Sequence, residues 1–271
     1  MAGSAPIRLV CLDVDGTLVG HAGQPTDGVW AAASRARAAG IHLSICTARI
    51  AIGGAWEWAV RLDPDGWQLF QTGASIVHTG DRSTRSTPLP AGAVGACVVA
   101  AAANRWTLEV YSDFDYTVDS DSAAAVDHAA LLGVPFLRRE FASLRGEAVR
   151  TQFIVGDADV SSAVSAAPAG CTASAATSPL MPGLHFVSIT ADTVSKASGI
   201  RALATLLGLT TDEVMMVGDG QNDVSALSAV GLPVAMGNAH PDAMAVARLV
   251  VADVESDGVA EALDLAIATN R

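Results

Sequence analysis

Lysine is all but absent from this chain. Of its 16 basic residues only Lys196 is a lysine, and the rest are arginines. Bases as a class are also scarce, because 28 acids oppose them and the formal net charge is -12. A chain so acidic repels polyphosphate backbones and anionic lipid, so neither nucleic acid nor membrane is an expected partner. Aromatic residues are 5% of the sequence and charged residues 16%. The charge content is too low for a disordered or coiled-coil chain. The four cysteines at 11, 46, 97 and 171 form no close pair, which reads as a reduced, cytoplasmic protein. The longest apolar run, residues 93–103, falls far short of a bilayer span. The first apolar stretch runs directly into Asp13 and Asp15, unlike a signal peptide.

What the chain does have is an alternation of strand-like and helix-like segments. Residues 7–12 are a nearly continuous apolar run ending at Asp13. Such runs fit strands covered on both faces of a parallel sheet. Residues 25–39 read as a helix closed by Gly40, residues 41–46 as a second buried strand ending at Thr47, and residues 48–62 as a second helix. Short strands follow at 68–71 and 75–78. The rhythm resumes with helix 195–207, strand 213–217, helix 222–230, strand 233–236, a helix from Pro241, strand 249–251 and helix 258–268. This predicts the α/β class, with a doubly wound, mostly parallel, Rossmann-like core sheet drawn from residues 1–80 and 186–271.

Residues 81–185 break that rhythm. They suggest helices at 91–103 and 122–132, strands at 106–111 and 151–155, and an Ala/Ser/Thr/Pro stretch at 166–182 expected as a loop. The block reads as an inserted α+β domain.

Open parallel sheets bind ligands beyond the carboxyl ends of their strands. The predicted core strands deliver Asp13 and Asp15, then Thr47, then Asp219 with Asn222 and Asp223 one turn later. Acids converging on one rim need positive charge between them. A hard divalent cation with oxygen ligands, Mg²⁺ above all, meets that need. Lys196 opens the helix that follows the insertion, and its compact ammonium can reach one oxygen of a carboxylate or phosphate. Metal, carboxylates, hydroxyl and ammonium together suit phosphoryl transfer, where positioning and charge neutralisation do most of the work.

These residues resemble the haloacid dehalogenase-like phosphatases. Four motifs match in order: Asp13-Val14-Asp15-Gly16-Thr17-Leu18, Thr47 in Ile45-Cys46-Thr47-Ala48-Arg49, Lys196, and Gly218-Asp219-Gly220-Gln221-Asn222-Asp223. The tail from Ala235-Met236-Gly237-Asn238-Ala239 to Asp257-Gly258-Val259-Ala260 resembles the Cof-type branch. The resemblance implies Asp13 as nucleophile and Asp15 as general acid, then base. It implies Thr47, the backbone at Ala48, Lys196 and Asn222 around the phosphoryl group. It implies a metal held by Asp13, the main-chain carbonyl of Asp15 and Asp219, with Asp223 as a ligand or its support. It also makes the inserted block an α/β cap, as in sugar-phosphate phosphatases, and the substrate a small phosphorylated molecule. Two departures stand out: Thr72-Gly73-Ala74 where that branch has Asn-Gly-Ala, and Lys196-Ala197 where it has Lys-Gly.

A phosphomutase or phosphotransferase on the same scaffold is the alternative, for which Arg138 and Arg139 could offer a second phosphate site. A non-enzymatic binder would lack catalytic residues, and none is missing. Arg49 is expected to pair with a nearby acid. The acids at 113, 115, 119 and 121 read as a solvated loop, lacking the glycine and distant Glu of a calcium loop. Of the six histidines, His21 follows the first motif closely enough to face the cleft. Tyr111, Asp113, Arg138, Arg139 and Arg150 are the candidate specificity residues. Oligomeric state is not legible.

Overall fold

The first apolar run forms a strand at Leu9–Leu12, all four residues buried. It lies between Val214–Gly218 and the edge strand His42–Ile45 of a parallel five-stranded sheet in the computed structural model, which describes residues 5–178 and 180–270. Across that sheet the order is Leu249–Val250, Leu232–Ala235, Val214–Gly218, Leu9–Leu12 and His42–Ile45. The strands on either side of Leu9–Leu12 therefore come from opposite ends of the chain, and connections depart from it in both directions. Such a switch point opens a crevice at the carboxyl end of that strand, where Asp13 lies. The chain divides into two units, and this sheet belongs to the first, drawn from Met1–Arg49, Trp58–Arg85 and Ser195–Arg271.

Small residues let the layers pack closely. Helix Asp27–Ala38 buries Val29, Trp30, Ala32, Ala33 and Ala36, and packs beside Gly258–Thr269, which buries Val259, Ala262, Leu263 and Ala266. Thr26 caps the first helix by accepting from the backbone N–H of Val29 at 3.2 Å. Trp67–Phe70 and Ser75–His78 form a separate antiparallel pair, attached to the main sheet through a bridge between Cys46 and Leu69.

The turn joining that pair sets the place of helix Lys196–Leu206. Gly73 has φ +94, and a Cβ there would sit 2.5 Å from the Ser195 carbonyl oxygen. A Cβ on Gly199 would sit 2.8 Å from the Gly73 Cα. Two glycines thus bring the backbones together at the helix N-terminus. Ser195 caps that terminus, accepting from the Ser198 N–H at 3.0 Å, and the Ser198 hydroxyl accepts from the Ser195 N–H at 2.8 Å.

The second unit comprises Ile50–Glu57 and Ser86–Val194. Its antiparallel sheet runs Tyr116–Val118, Thr107–Tyr111, Arg150–Gly156, Leu184–Ala191, Cys171–Thr177. One face packs Leu108, Val110, Phe153, Val155, Val187 and Ile189 with Cys97 and Ala101 of helix Ala93–Asn104 and Ala163 of Val160–Ser165. Elsewhere in the unit the fully buried Glu109 receives hydrogen bonds from Tyr111 and Gln152 and contacts His128 at 2.8 Å. The acids at 113, 115, 119 and 121, which flank the strand Tyr116–Val118, are engaged rather than merely solvated. Asp115 accepts from Arg139 at 2.6 Å, Asp119 and Asp121 accept from Arg138 at 2.8 and 2.6 Å, and Asp113 accepts from Ser86.

Four sequence expectations give way here. Residues 166–182 are not wholly a loop, since Cys171–Thr177 is a strand laddered to Leu184–Ala191. Its small residues carry no alternating apolar signal, so the partner strand supplies the conformation. Because Leu184–Ala191 lies inside this sheet, residues 186–194 go with the second unit rather than the first. The helix expected over 48–62 begins only at Gly53, after a turn through residues 48–52. The helix expected over 222–230 is a 3-10 turn at Gln221–Asp223 and a single α-turn at Val224–Leu227. Among the described residues no helix is long and apolar enough to cross a membrane.

Thr72 sits at φ 60, ψ 26, a left-handed conformation that a β-branched residue tolerates poorly and asparagine tolerates well. Thr72→Asn is expected to raise unfolding stability by about 1 kcal/mol, read from the urea midpoint. A decrease would show that the strain lies elsewhere.

Candidate active site

Strand register brings the motif residues to one rim. Leu12 pairs with Ile45 on one side and Val217 on the other. The Asp13 N–H donates to the Val217 carbonyl at 2.9 Å, and the Cys46 N–H donates to the Leu12 carbonyl at 2.7 Å. Asp13, Thr47 and Asp219 therefore leave three neighbouring strands at the same level, although they are distant in sequence.

Lys196 supplies the charge at the centre. Its side chain is fully buried, and Nζ donates to Asp13 Oδ1 at 2.5 Å and to Asp223 Oδ1 at 2.6 Å. The other Asp223 oxygen accepts from the backbone N–H groups of Asp219 at 3.2 Å and Gly220 at 2.9 Å. Asp223 thus fastens the Gly218–Asp223 turn to the lysine. Asp219 accepts from the Thr17 hydroxyl at 3.0 Å. Gly16 is required beside it: φ is +85, and a Cβ would lie 2.3 Å from Asp219 Oδ2.

Burial disfavours the charged form of Lys196, but the carboxylates of Asp13 and Asp223 outweigh it and hold the ammonium above its ordinary value. Burial pushes Asp13 up, against the pull of Lys196 and with the added repulsion of Asp223. Asp219 is also raised by burial, more than the Thr17 hydrogen bond lowers it. Asp13, Asp219 and Asp223 each offer an oxygen, and these atoms lie within 4.8 Å of one another. Three carboxylates around one ammonium leave an excess of negative charge with oxygen-only donors. That donor set fits a hard divalent cation and does not suit a soft one.

Asp15 stands apart from this group. Its carboxylate is exposed and receives two hydrogen bonds from Arg49, Nε to Oδ2 at 3.0 Å and Nη2 to Oδ1 at 2.6 Å. The acid that Arg49 pairs with is therefore Asp15. Thr47 is buried, and its hydroxyl accepts from the Arg49 N–H at 3.1 Å. It organises the turn before the helix that begins at Gly53. Ala48 and Asn222 are exposed. His21 is turned to Glu255, its Nδ1 2.8 Å from the carboxylate.

Sequence reasoning passed over Asn238. Its Nδ2 donates to the Gly16 carbonyl at 2.8 Å while its Oδ1 accepts from the Val254 N–H at 2.9 Å. It ties the first-motif turn to the C-terminal segment. Only its place in the Gly237-Asn238-Ala239 tail signalled it. Cys46 is a second addition: buried near Lys196, its thiol is pushed up to about 12 by burial.

Two outcomes follow from these charges. Lys196→Met leaves two buried carboxylates unpaired and is expected to cost about 3–5 kcal/mol in urea unfolding without divalent cations. A loss below about 1 kcal/mol would mean the pair is not buried in solution. Cys46 should resist alkylation at neutral pH in the folded protein and react on unfolding, because burial disfavours its thiolate. Rapid native labelling of that cysteine by peptide mapping would contradict its burial.

A protein of Streptococcus pyogenes serotype M6 named "Putative phosphatase" is 24% identical over 264 residues, covering 95% of this chain and 97% of its own. A haloacid dehalogenase-like hydrolase from Bacteroides thetaiotaomicron shares the fold at TM-score 0.84 and 22% identity, covering 96% of this chain and 99% of its own. A sugar phosphatase of subclass IIB of that superfamily aligns at TM-score 0.77 and 23% identity, covering 95% of this chain and 98% of its own. The sequence profile of the haloacid dehalogenase-like hydrolases matches residues 10–263. The chain belongs to that family.

Proposed function

We propose that this protein is a Mg²⁺-dependent phosphatase that hydrolyses a small phosphate monoester, of the sugar-phosphate kind, through an aspartyl-phosphate on Asp13. The observation that carries the reading is the Lys196 ammonium bonded to Asp13 and Asp223, with Asp219 in the same group. The sugar-phosphate class is supported by the structurally similar subclass IIB sugar phosphatase. The second unit is assigned the part of a cap domain, and the four free cysteines suit a cytoplasmic enzyme.

Asp13 attacks phosphorus as the bond to the leaving oxygen breaks, and Asp15 gives that oxygen its proton. Water then attacks the aspartyl-phosphate, Asp15 takes a proton from it, and phosphate leaves with Asp13 restored. Lys196 holds Asp13 in one orientation and offsets charge on the phosphoryl oxygens, which Thr47, the Ala48 backbone and Asn222 would line. Asp13, Asp219 and the Asp15 main-chain carbonyl would hold the cation, which supplies positive charge to the phosphoryl group when bound. Asp223 is the support of that set, since Lys196 and two backbone N–H groups already engage both its oxygens. Arg138 and Arg139, which a mutase would need for a second phosphate, are taken by Asp119, Asp121 and Asp115. That favours water as the acceptor.

Asp13→Asn is expected to lower phosphate release from an ester by on the order of 10⁴-fold or more, as for other covalent nucleophiles. Chelation should abolish release in the parent protein, and Mg²⁺ should restore it. Undiminished turnover in the variant, or indifference to chelation, would refute the reading.

A further inference from the structure

The contact between Arg49 and Asp15 has no part in the reaction as described so far. Both Asp15 oxygens are bonded to one guanidinium, at 3.0 and 2.6 Å. Asp15 itself sits on a turn, closed by the Gly16 N–H to the Val19 carbonyl at 3.0 Å, and its side chain is 61% exposed. A carboxylate in that setting has several rotamers open to it. Arg49 does not share that freedom. Its N–H donates to Thr47 Oγ1 at 3.1 Å, and its carbonyl accepts from the Gln71 N–H at 2.9 Å. Its guanidinium lies over the Trp58 ring, 5.4 Å from the centroid. A planar fork fixed on one side of an exposed carboxylate sets the plane of that carboxylate.

We infer that Arg49 is a positioning residue, whose guanidinium holds the Asp15 carboxyl in the orientation from which it serves the leaving oxygen. The inference rests on the reading of Asp15 as general acid and base. A general acid must lie within hydrogen-bond reach of the oxygen it protonates, and a misplacement of about 1 Å in an active site costs on the order of 10²-fold. Arg49 thereby acts through Asp15 and not on the phosphoryl group.

Leaving-group dependence separates this role from a structural one. A poor leaving group needs the acid and a good one does not. The experiment compares kcat for glycerol phosphate, an alkyl ester, with kcat for p-nitrophenyl phosphate, in the Mg²⁺-loaded parent protein and in Arg49→Met, Arg49→Lys and Asp15→Asn. Arg49→Met should lose about 10- to 100-fold on the alkyl ester and at most about threefold on the aryl ester. Arg49→Lys, which keeps the charge but not the fork, should fall between Arg49→Met and the parent. Asp15→Asn should show the same selectivity with a larger loss. Equal losses on both esters in Arg49→Met would overturn the inference, because the residue would then act on the phosphoryl group or on the fold. So would a gain on the alkyl ester, which would make the contact a restraint on Asp15. If Asp15→Asn itself loses equally on both esters, the assignment of Asp15 as the acid fails and the role of Arg49 falls with it.

Discussion

A single ammonium is shared by two buried carboxylates. Lys196 reaches Asp13 from one side and Asp223 from the other; the lysine and Asp223 side chains are fully buried and that of Asp13 is nearly so. Ionised groups are expensive to desolvate, and an apolar trio of similar volume would leave the fold at least as stable. The arrangement is therefore explained by chemistry. A charged nucleophile must be kept dry enough to react, near enough to a cation to tolerate an anionic substrate, and in one orientation. Asp219 adds a third carboxylate within reach of the other two, so the pocket carries an excess of negative charge that a hard cation would offset.

The fold supplies the convergence. Asp13 and Asp219 follow adjacent strands whose register is fixed by the ladder between Leu12 and Val217. Lys196 comes from none of these strands. It is delivered by a helix whose start is set by Ser195 and by the close passage of Gly73 and Gly199. Gly16 makes room for Asp219, and Asn238 closes the far side of the same turn. Each of these contacts joins residues remote in sequence. A substitution at Gly73 or Asn238 would therefore be felt at the carboxylates without touching them.

Much of the core was legible in the sequence because its signals are local. Apolar runs ending in Asp13, Thr47 and Asp219 mark strands buried on both faces, and the solitary Lys196 stood out against fifteen arginines. What was not legible depends on partners. Cys171–Thr177 has no pattern of its own and is a strand only because Leu184–Ala191 lies beside it. The start of the second helix at Gly53 is hidden, because nothing in residues 48–52 announces the turn that Thr47 and Gln71 impose on Arg49. Asn238 is an ordinary loop residue until the Gly16 carbonyl is placed above it. The pairings of Arg138 and Arg139 with the 113–121 acids were equally invisible, since neither pattern says which charge faces which.

The most direct measurement is to trap the covalent state. The protein with Mg²⁺ and a phosphate ester would be quenched in acid during turnover, reduced with borohydride, digested and mapped by mass spectrometry. The account predicts that Asp13 alone is converted to homoserine, in an amount that depends on substrate. Turnover with no modification of Asp13, or modification of another carboxylate in its place, would contradict it.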